Sequence, residues 1–282
     1  MRRSALFLSA TLVLCTALLH GARQTVTVLQ WNVDHGGRGT DARMDLGRQV
    51  NWIAAKHPDV VSLNEVTALQ AEEYRQRLEG ATGDRWYSHH VTAQADGIGN
   101  QILSRQPMLT TDAYHMRVNG RFRRAVTEAT VELGGIPVNV FSTHLDNSRS
   151  DIREAQVREL MIFLSRFREP RIVAGDLNAT PEAPEIRLLE DRLFDAWGEA
   201  VEEQRAVAYP DNPAGPDTRT RAKRIDYVLH SPDLSAVQAE IPDQRDWSAD
   251  PAAVQVGTPD DRAVRPSDHN LLFVVLAFRG AR

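Results

Sequence analysis

Apolar runs of strand length that stop at an acid, an amide or a histidine recur along this chain, and they constrain its fold more tightly than any other feature. Arg171-Ile-Val-Ala174 leads into Gly175-Asp176-Leu177-Asn178. Thr25-Val-Thr-Val-Leu-Gln-Trp31, alternating and rich in β-branched residues, leads into Asn32, and Asp59-Val-Val-Ser-Leu63 leads into Asn64 and Glu65. Such runs read as buried strands. Polar side chains just past them point into the crevice at the strand ends, where open α/β layers bind ligands. One Asp-x-Asn after a strand is a weak signal, because both residues are common turn formers. The repetition carries the argument.

Helical periodicity interrupts the strands. Met44 to His57 places Leu46, Val50, Ile53 and Ala54 on one face, a helix is expected from about Ala68 to Leu78, and Ile152 to Phe167 is amphipathic. A strand is expected near Trp86 to Val91. Asn100–Arg105, Leu109–Met116, Ala125–Leu133 and Val138–Phe141 then read as consecutive short strands broken by turn residues such as Gly134-Gly135. Ile225–Leu229 and Leu271–Phe278 follow late in the chain. Consecutive strands without helices pair antiparallel, so the mixture predicts two sheets packed face to face with helices outside, an α/β (α+β) sandwich. No Pro/Gly/Ser linker divides residues 25–282, which predicts one domain.

The first 24 residues stand apart. Arg2 and Arg3 precede an apolar run from Ala5 to Leu19, and His20-Gly-Ala22 offers a small residue for cleavage. This reads as a signal peptide and a secreted or periplasmic protein. The alternative, an uncleaved anchor, is disfavoured because a span needs about 20 apolar residues. Cleavage removes Cys15, the only cysteine, so the mature chain relies on its core without disulfides. Net charge is −5, and loss of Arg2 and Arg3 makes it more acidic. Overall charge therefore gives no attraction to nucleic acid, and a polyanion must be gripped by a local basic patch.

Each polar strand-end residue has a structural reading beside a functional one. Glu65 suits Mg²⁺ or Mn²⁺ as a hard oxygen ligand, or it is an acid near a helix start. Asn32 holds a ligand oxygen or makes a turn. His144 in Val138-Asn-Val-Phe-Ser-Thr-His144 is a satisfied core histidine or a catalyst. Asp226, inside Arg224-Ile-Asp-Tyr-Val-Leu229, needs a partner, and His269 in Ser267-Asp-His-Asn270 is the one expected. Asp268 is a ligand or a cap or turn acid, and His269 has the alternative reading of a surface histidine. Basic residues cluster at Arg121, Arg123 and Arg124 and again at Arg219, Arg221, Lys223 and Arg224; they are solvated faces or phosphate contacts, and no interleaved aromatic is read there for base stacking.

In order along the chain, Trp31-Asn32, Leu63-Asn-Glu65, Gly99-Asn-Gln-Ile-Leu-Ser-Arg105, Ser142-Thr-His-Leu-Asp146, Gly175-Asp-Leu-Asn-Ala179, Arg224-Ile-Asp-Tyr227 and Ser267-Asp-His269 resemble the endonuclease/exonuclease/phosphatase superfamily. The resemblance spans roughly residues 25 to 279. It implies a DNase I-like four-layer α/β/β/α sandwich with two mixed sheets, and a divalent-metal phosphoesterase with Mg²⁺ (or Mn²⁺) as cofactor. By the same resemblance Glu65 ligates the metal with Asn32 and Asp268 nearby, Asp176 orients or deprotonates water, and Asn178 assists. His269, supported by Asp226, and His144 contact the phosphate or the leaving group, with Asn100, Arg123, Arg124 and Arg221 as phosphate contacts. One departure is Asn64, where the family commonly has glutamine, which is expected to alter support for the metal.

The expected activity is a phosphodiesterase or nuclease, with nucleic acid as a candidate partner. The alternatives are a phosphatase or phospholipase-C-like hydrolase of a lipid headgroup or small phosphoester, and a non-catalytic binding module on the same fold. No extended hydrophobic loop is seen for membrane insertion, and a monomer is expected.

Overall fold

The computed structural model describes residues 24–208, 223–246 and 263–280. The leader read at residues 1–24, apart from Gln24, and the phosphate contact assigned to Arg221 lie outside the described residues. In chain order the elements are β1 (Thr25–Asn32), the one-turn α1 (Asp34–Gly37), α2 (Leu46–Lys56), β2 (Val60–Val66), α3 (Ala68–Thr82), β3 (Tyr87–Thr92), β4 (Gly99–Ser104), β5 (Met108–His115), β6 (Ala125–Leu133) and β7 (Ile136–His144). They continue with α4 (Ser150–Leu164), β8 (Arg171–Asp176), α5 (Pro184–Glu190), β9 (Phe194–Asp195), α6 (Ala196–Glu202), β10 (Ala206–Ala208), β11 (Asp226–His230), β12 (Leu234–Ile241) and β13 (Leu272–Phe278).

Two mixed sheets form, a seven-stranded one ordered β10-β12-β13-β1-β2-β4-β3 and a six-stranded one ordered β5-β6-β7-β8-β11-β9. Three apolar clusters separate four layers. Val28, Ile102, Val140, Ala174, Val228 and Val274 belong to the cluster between the sheets. Trp31, Ile53, Leu63, Tyr74 and Leu78 join the first sheet to α2 and α3. Phe141, Leu160, Phe163, Val173 and Leu189 join the second to α4 and α5. The apolar runs of β2 and β8 follow from burial on both faces. The fold is the four-layer sandwich with outer helices that the sequence pattern implied.

Helix ends obey local rules. Thr67 caps α3 in a reciprocal box with Gln70, and Gly83 ends it in the left-handed conformation. The strand β12 was not legible: Leu234-Ser-Ala-Val-Gln-Ala-Glu-Ile241 is rich in helix-compatible residues, and its pairing, antiparallel with β13 and parallel with the short β10, makes it a strand. The short α5, β9, α6 and β10 also escaped the sequence pattern, being too brief for a periodic signal. Among the described residues no helix is long and apolar enough to cross a membrane.

Strand register assembles the polar ends. Asn32 pairs with Asn64 across the parallel β1–β2 ladder, His144 with Asp176 across parallel β7–β8, and Asp226 with Asp176 across antiparallel β11–β8. The two strands before Asp176 approach so closely that a Cβ at Gly175 would lie 1.9 Å from the Thr143 carbonyl oxygen. Gly175→Ala should therefore lower unfolding free energy by about 1–3 kcal/mol, the usual cost of overpacking. Urea denaturation of the variant measures this, and an unchanged midpoint would show the ladder to be looser than the geometry requires.

Candidate active site

Glu65 interrupts the β2–β4 ladder. Pairing shifts between Asn64 and Val66, and Glu65 takes φ 63°, so it is the extra residue of a bulge that turns its carboxylate into the cleft. Asn32 Nδ2 donates to Glu65 Oε1 at 3.1 Å and to Asp176 Oδ2 at 3.0 Å, bridging the two sheets. The Asn32 Oδ1 accepts from the Asp34 N–H at 3.2 Å. Burial opposes ionisation of Glu65. The His35 hydrogen bond, the His144 charge and the Asn32 amide outweigh it and hold this carboxylate well below the usual range.

Asp176 is the focus of the site. It is buried, and around its Oδ2 lie Asn32 Nδ2 at 3.0 Å, His144 Nε2 at 3.4 Å and His269 Nε2 at 3.7 Å. Its Oδ1 accepts from the Asn178 N–H at 2.9 Å. Asn178 adopts φ 51°, a conformation asparagine tolerates, and its side-chain Nδ2 donates to the Leu145 carbonyl at 3.2 Å. Burial, then the charge of Asp226, push Asp176 up to about 6 against the pull of His269.

His269 and Asp226 form the buried pair that the sequence expected. His269 Nδ1 lies 2.8 Å from Asp226 Oδ2, which leaves Nε2 facing Asp176. The loop carrying His269 is pinned by Trp31 Nε1 donating to the His269 carbonyl at 2.8 Å and Ser267 Oγ donating to the Asn32 carbonyl at 2.7 Å. Burial alone would lower the His269 pKa, but the charges of Asp226 and Asp176 raise it to about 10. The imidazole is therefore protonated at neutral pH. Asp268 Oδ1 sits 3.9 Å from His269 Nε2, partly exposed at the cleft.

The phosphate contacts read from sequence separate into different environments. Arg124 is buried at 3% exposure, with Asp176, Glu65 and Asp146 acting on its charge; burial lowers its pKa and those carboxylates oppose the shift. Its Nε has no hydrogen-bond partner. Arg123 is exposed. Asn100 is buried, with its Oδ1 accepting from Asn64 at 2.9 Å and its Nδ2 donating to the Ala125 carbonyl at 2.9 Å. In the second basic cluster Arg224 pairs with Asp195 at 2.6 Å and lies over the Tyr227 ring, so it serves the fold.

Several contributors were missed. Phe122 lies under the guanidinium groups of Arg121 and Arg124, at 5.1 and 5.8 Å from its ring centre, which corrects the expectation that the basic cluster lacks an interleaved aromatic. Its position between Arg121 and Arg123 was the available signal. Asp34 and His35 were passed over because they sit in a glycine-rich loop, where turn chemistry is the ordinary reading. Asn64 turns away from Glu65: its Oδ1 accepts from Gln30 Nε2 at 2.7 Å and from the Asp176 N–H at 2.9 Å, and its Nδ2 donates to Asn100 and to the Thr143 carbonyl. It supports Asp176, not the residue expected to bind metal.

Among the described residues two groups offer donor atoms within 4.8 Å of one another, Asp34–His35–Glu65 and Asp176–Asp226–His269. In the second, both oxygens of each carboxylate already meet donors, from Asn178, Asn32, Gln30 and His269. Both Glu65 oxygens also meet donors, from Asn32 and His35, but this carboxylate is ionised and lies 21% exposed on the cleft surface, which fits a hard divalent cation.

A model of the endonuclease/exonuclease/phosphatase family matches residues 29–269. The chain belongs to that family. Members of that family are hydrolases of phosphoester bonds that depend on a divalent metal. A putative neutral sphingomyelinase of Drosophila melanogaster is 29% identical over 170 residues, covering 53% of this chain and 38% of that protein, so the matched region spans well under half the relative's length. An endonuclease/exonuclease/phosphatase from Beutenbergia cavernae superposes with TM-score 0.66 at 25% identity, covering 92% of this chain and 73% of that one. A mannosyl-6-phosphatase from Bacteroides thetaiotaomicron gives TM-score 0.68 at 17% identity, covering 90% and 100%.

The charges predict a bell-shaped pH dependence. Turnover should fall tenfold per unit below about pH 6 as Asp176 takes up a proton, and decline again above about pH 10 as His269 loses one. Asp226→Asn removes the charge that raises His269, so its alkaline limb should move to lower pH. A pH–rate profile of both proteins checks the sign.

Proposed function

We propose that this chain is a metal-dependent phosphodiesterase that hydrolyses its substrate by in-line attack of water. The observation that supports this most is the convergence of Asn32, His144 and His269 on a single oxygen of Asp176, beside the ionised Glu65. That set combines a base with a raised pKa, a cationic donor, and a carboxylate suited to a metal, which is what attack on an anionic phosphodiester demands.

In this reading Glu65 holds the cation, Mg²⁺ or Mn²⁺, with Asp268 at the same cleft. When bound, the cation offsets phosphate charge. Asn32, which turns its amide nitrogen toward both carboxylates, keeps Glu65 and Asp176 at a fixed spacing. Asp176, ionised above about pH 6, accepts the proton of the attacking water, and Asn178 fixes that carboxylate through its backbone N–H. His269, kept protonated by Asp226, donates from Nε2 to a phosphate oxygen. His144 donates to a second oxygen or to the leaving group. Arg124 adds a buried positive charge facing Asp176, Glu65 and Asp146, and we place the phosphate contact there in preference to Asn100, whose amide is engaged by its neighbours.

For the substrate, a nucleic-acid strand is supported by Arg121, Phe122, Arg123 and Arg124, which offer cations around an aromatic ring. A second reading, a lipid-headgroup phosphodiester, is favoured by the likeness to the putative sphingomyelinase. Plasmid nicking and sphingomyelin hydrolysis, each with Mg²⁺ and with EDTA, separate the two. Neither reading depends on the leader, although a secreted or periplasmic location suits both.

Glu65→Ala, Asp176→Ala and His269→Ala should each lower turnover of bis-p-nitrophenyl phosphate by at least ~100-fold, the scale of one lost electrostatic or acid–base contribution. EDTA should abolish it. Near-normal turnover from folded His269→Ala protein would sink the assignment, and metal binding without hydrolysis of any phosphoester would favour a binding module.

A further inference from the structure

The backbone directly after Asn32 makes an unusual excursion. Asp34, His35, Gly36 and Gly37 all have positive φ, at 42°, 55°, 70° and 123°. The glycines take such angles freely, whereas Asp34 and His35 do so at a cost that surrounding contacts must offset. Those contacts are present. The Gly37 and Arg38 N–H groups donate to the Val33 and Asp34 carbonyls at 2.9 and 3.0 Å, and the Asp45 N–H donates to the Gly37 carbonyl at 2.8 Å. Gln70 Nε2 donates to the His35 carbonyl at 2.7 Å, while Gln70 Oε1 is held by the Thr67 N–H at 2.9 Å. A Cβ at Gly36 would lie 2.4 Å from the Gln70 carboxamide, so the turn is pressed against the start of α3.

What the turn delivers is residue 35 onto Glu65. The His35 backbone N–H donates to Glu65 Oε2 at 3.3 Å, and the His35 Nδ1 lies 3.1 Å from the same oxygen. Asp34 Oδ1, 2.9 Å from that Nδ1, fixes the ring. On the other side Asn32 Nδ2 takes Oε1. Both oxygens of this carboxylate are thus oriented by one short segment, and Glu65 itself sits at φ 63° on its bulge. Strained backbone on both sides converges on a single carboxylate orientation.

We propose that His35 is a positioning residue for the cation site: its imidazole, locked by the left-handed turn and by Asp34, holds the Glu65 carboxylate in its metal-receiving orientation and so sets cation affinity. The inference rests on the reading of Glu65 as the metal carboxylate. Groups that orient a metal ligand from behind change affinity by about 10–100-fold when removed.

The test compares His35→Gly with His35→Asn. Both replacements tolerate a positive φ, so both preserve the turn, but only asparagine returns an N–H donor near the position of Nδ1. Binding of Mn²⁺ alone is read from the free-ion electron paramagnetic resonance signal, and binding of Mg²⁺ by calorimetry, with no substrate present. Glu65→Gln serves as the reference for a lost ligand, and thermal unfolding without metal confirms that each variant is folded. The expected result is affinity weakened about 10–100-fold in His35→Gly and restored to within about threefold of the parent in His35→Asn. Parent-like affinity in His35→Gly would overturn the proposal, because the turn alone would then suffice. Equal weakening in the two variants would also overturn it, because the ring would then be a direct ligand. Unaltered cation affinity in Glu65→Gln would instead overturn the assignment of Glu65 beneath it. Since no readout involves turnover, failure of the phosphodiesterase reading would leave these outcomes interpretable.

Discussion

A buried polar seam between the two sheets governs the architecture of this site. Apolar side chains fill most of the sandwich interior, but at one end Asn64 occupies a fully buried position and uses its carboxamide in both directions. It accepts from Gln30 on β1 and from the Asp176 N–H on β8, and it donates to Asn100 on β4 and to the Thr143 carbonyl on β7. Gln30 extends the seam to Asp226 at 3.3 Å, and Ser62 lies 2.8 Å from Ser142 across the sheets. A buried amide left without partners is costly, so a satisfied one fixes the stagger of the sheets more strictly than apolar packing does. The catalytic residues inherit their spacing from that stagger.

The seam also explains the electrostatics. Asp176 and Asp226 are neighbours in the β8–β11 ladder and both are buried, an arrangement that two carboxylates alone would resist. His269 makes it tenable by remaining protonated between them, and Asp176 answers with a raised pKa. Glu65 stands apart from this group, on a bulge, held ionised and partly open to the cleft. One end of the molecule therefore offers a cation seat and an acid–base pair side by side, joined by the Asn32 amide.

Much of the fold was legible because its strands are buried on both faces and advertise themselves as continuous apolar runs. β6 is found at the bounds read from the sequence, and β1, β2 and β8 begin within a residue of theirs. β12 was illegible because alanine, serine, glutamine and glutamate carry no strand preference of their own; pairing with the neighbouring β13 and β10 decides it. Among the site residues, Asp226 and His269 could be paired in advance, since a buried acid needs a partner. Asp34, His35 and Phe122 could not, because loop residues acquire meaning only through what the loop is bent around. Asn64 was noticed for its short amide, but its contacts to Asp176 were not foreseen, since its side-chain direction depends on a bulge at Glu65 that no periodicity announces.

The sequence by itself determined the layer architecture, the ends of strands at which polar chemistry gathers, and membership of a phosphoesterase family. Those follow from short-range rules, in which burial dictates apolar runs and chemistry dictates residue type. The tertiary structure alone decided which amide bridges which carboxylate, which histidine stays charged, and which arginine is buried at the cleft. These depend on distances of a few ångströms between segments far apart in the chain. Such distances are set by sheet stagger, by the bulge at Glu65 and by a left-handed turn after Asn32, each a collective outcome of packing that single positions do not encode.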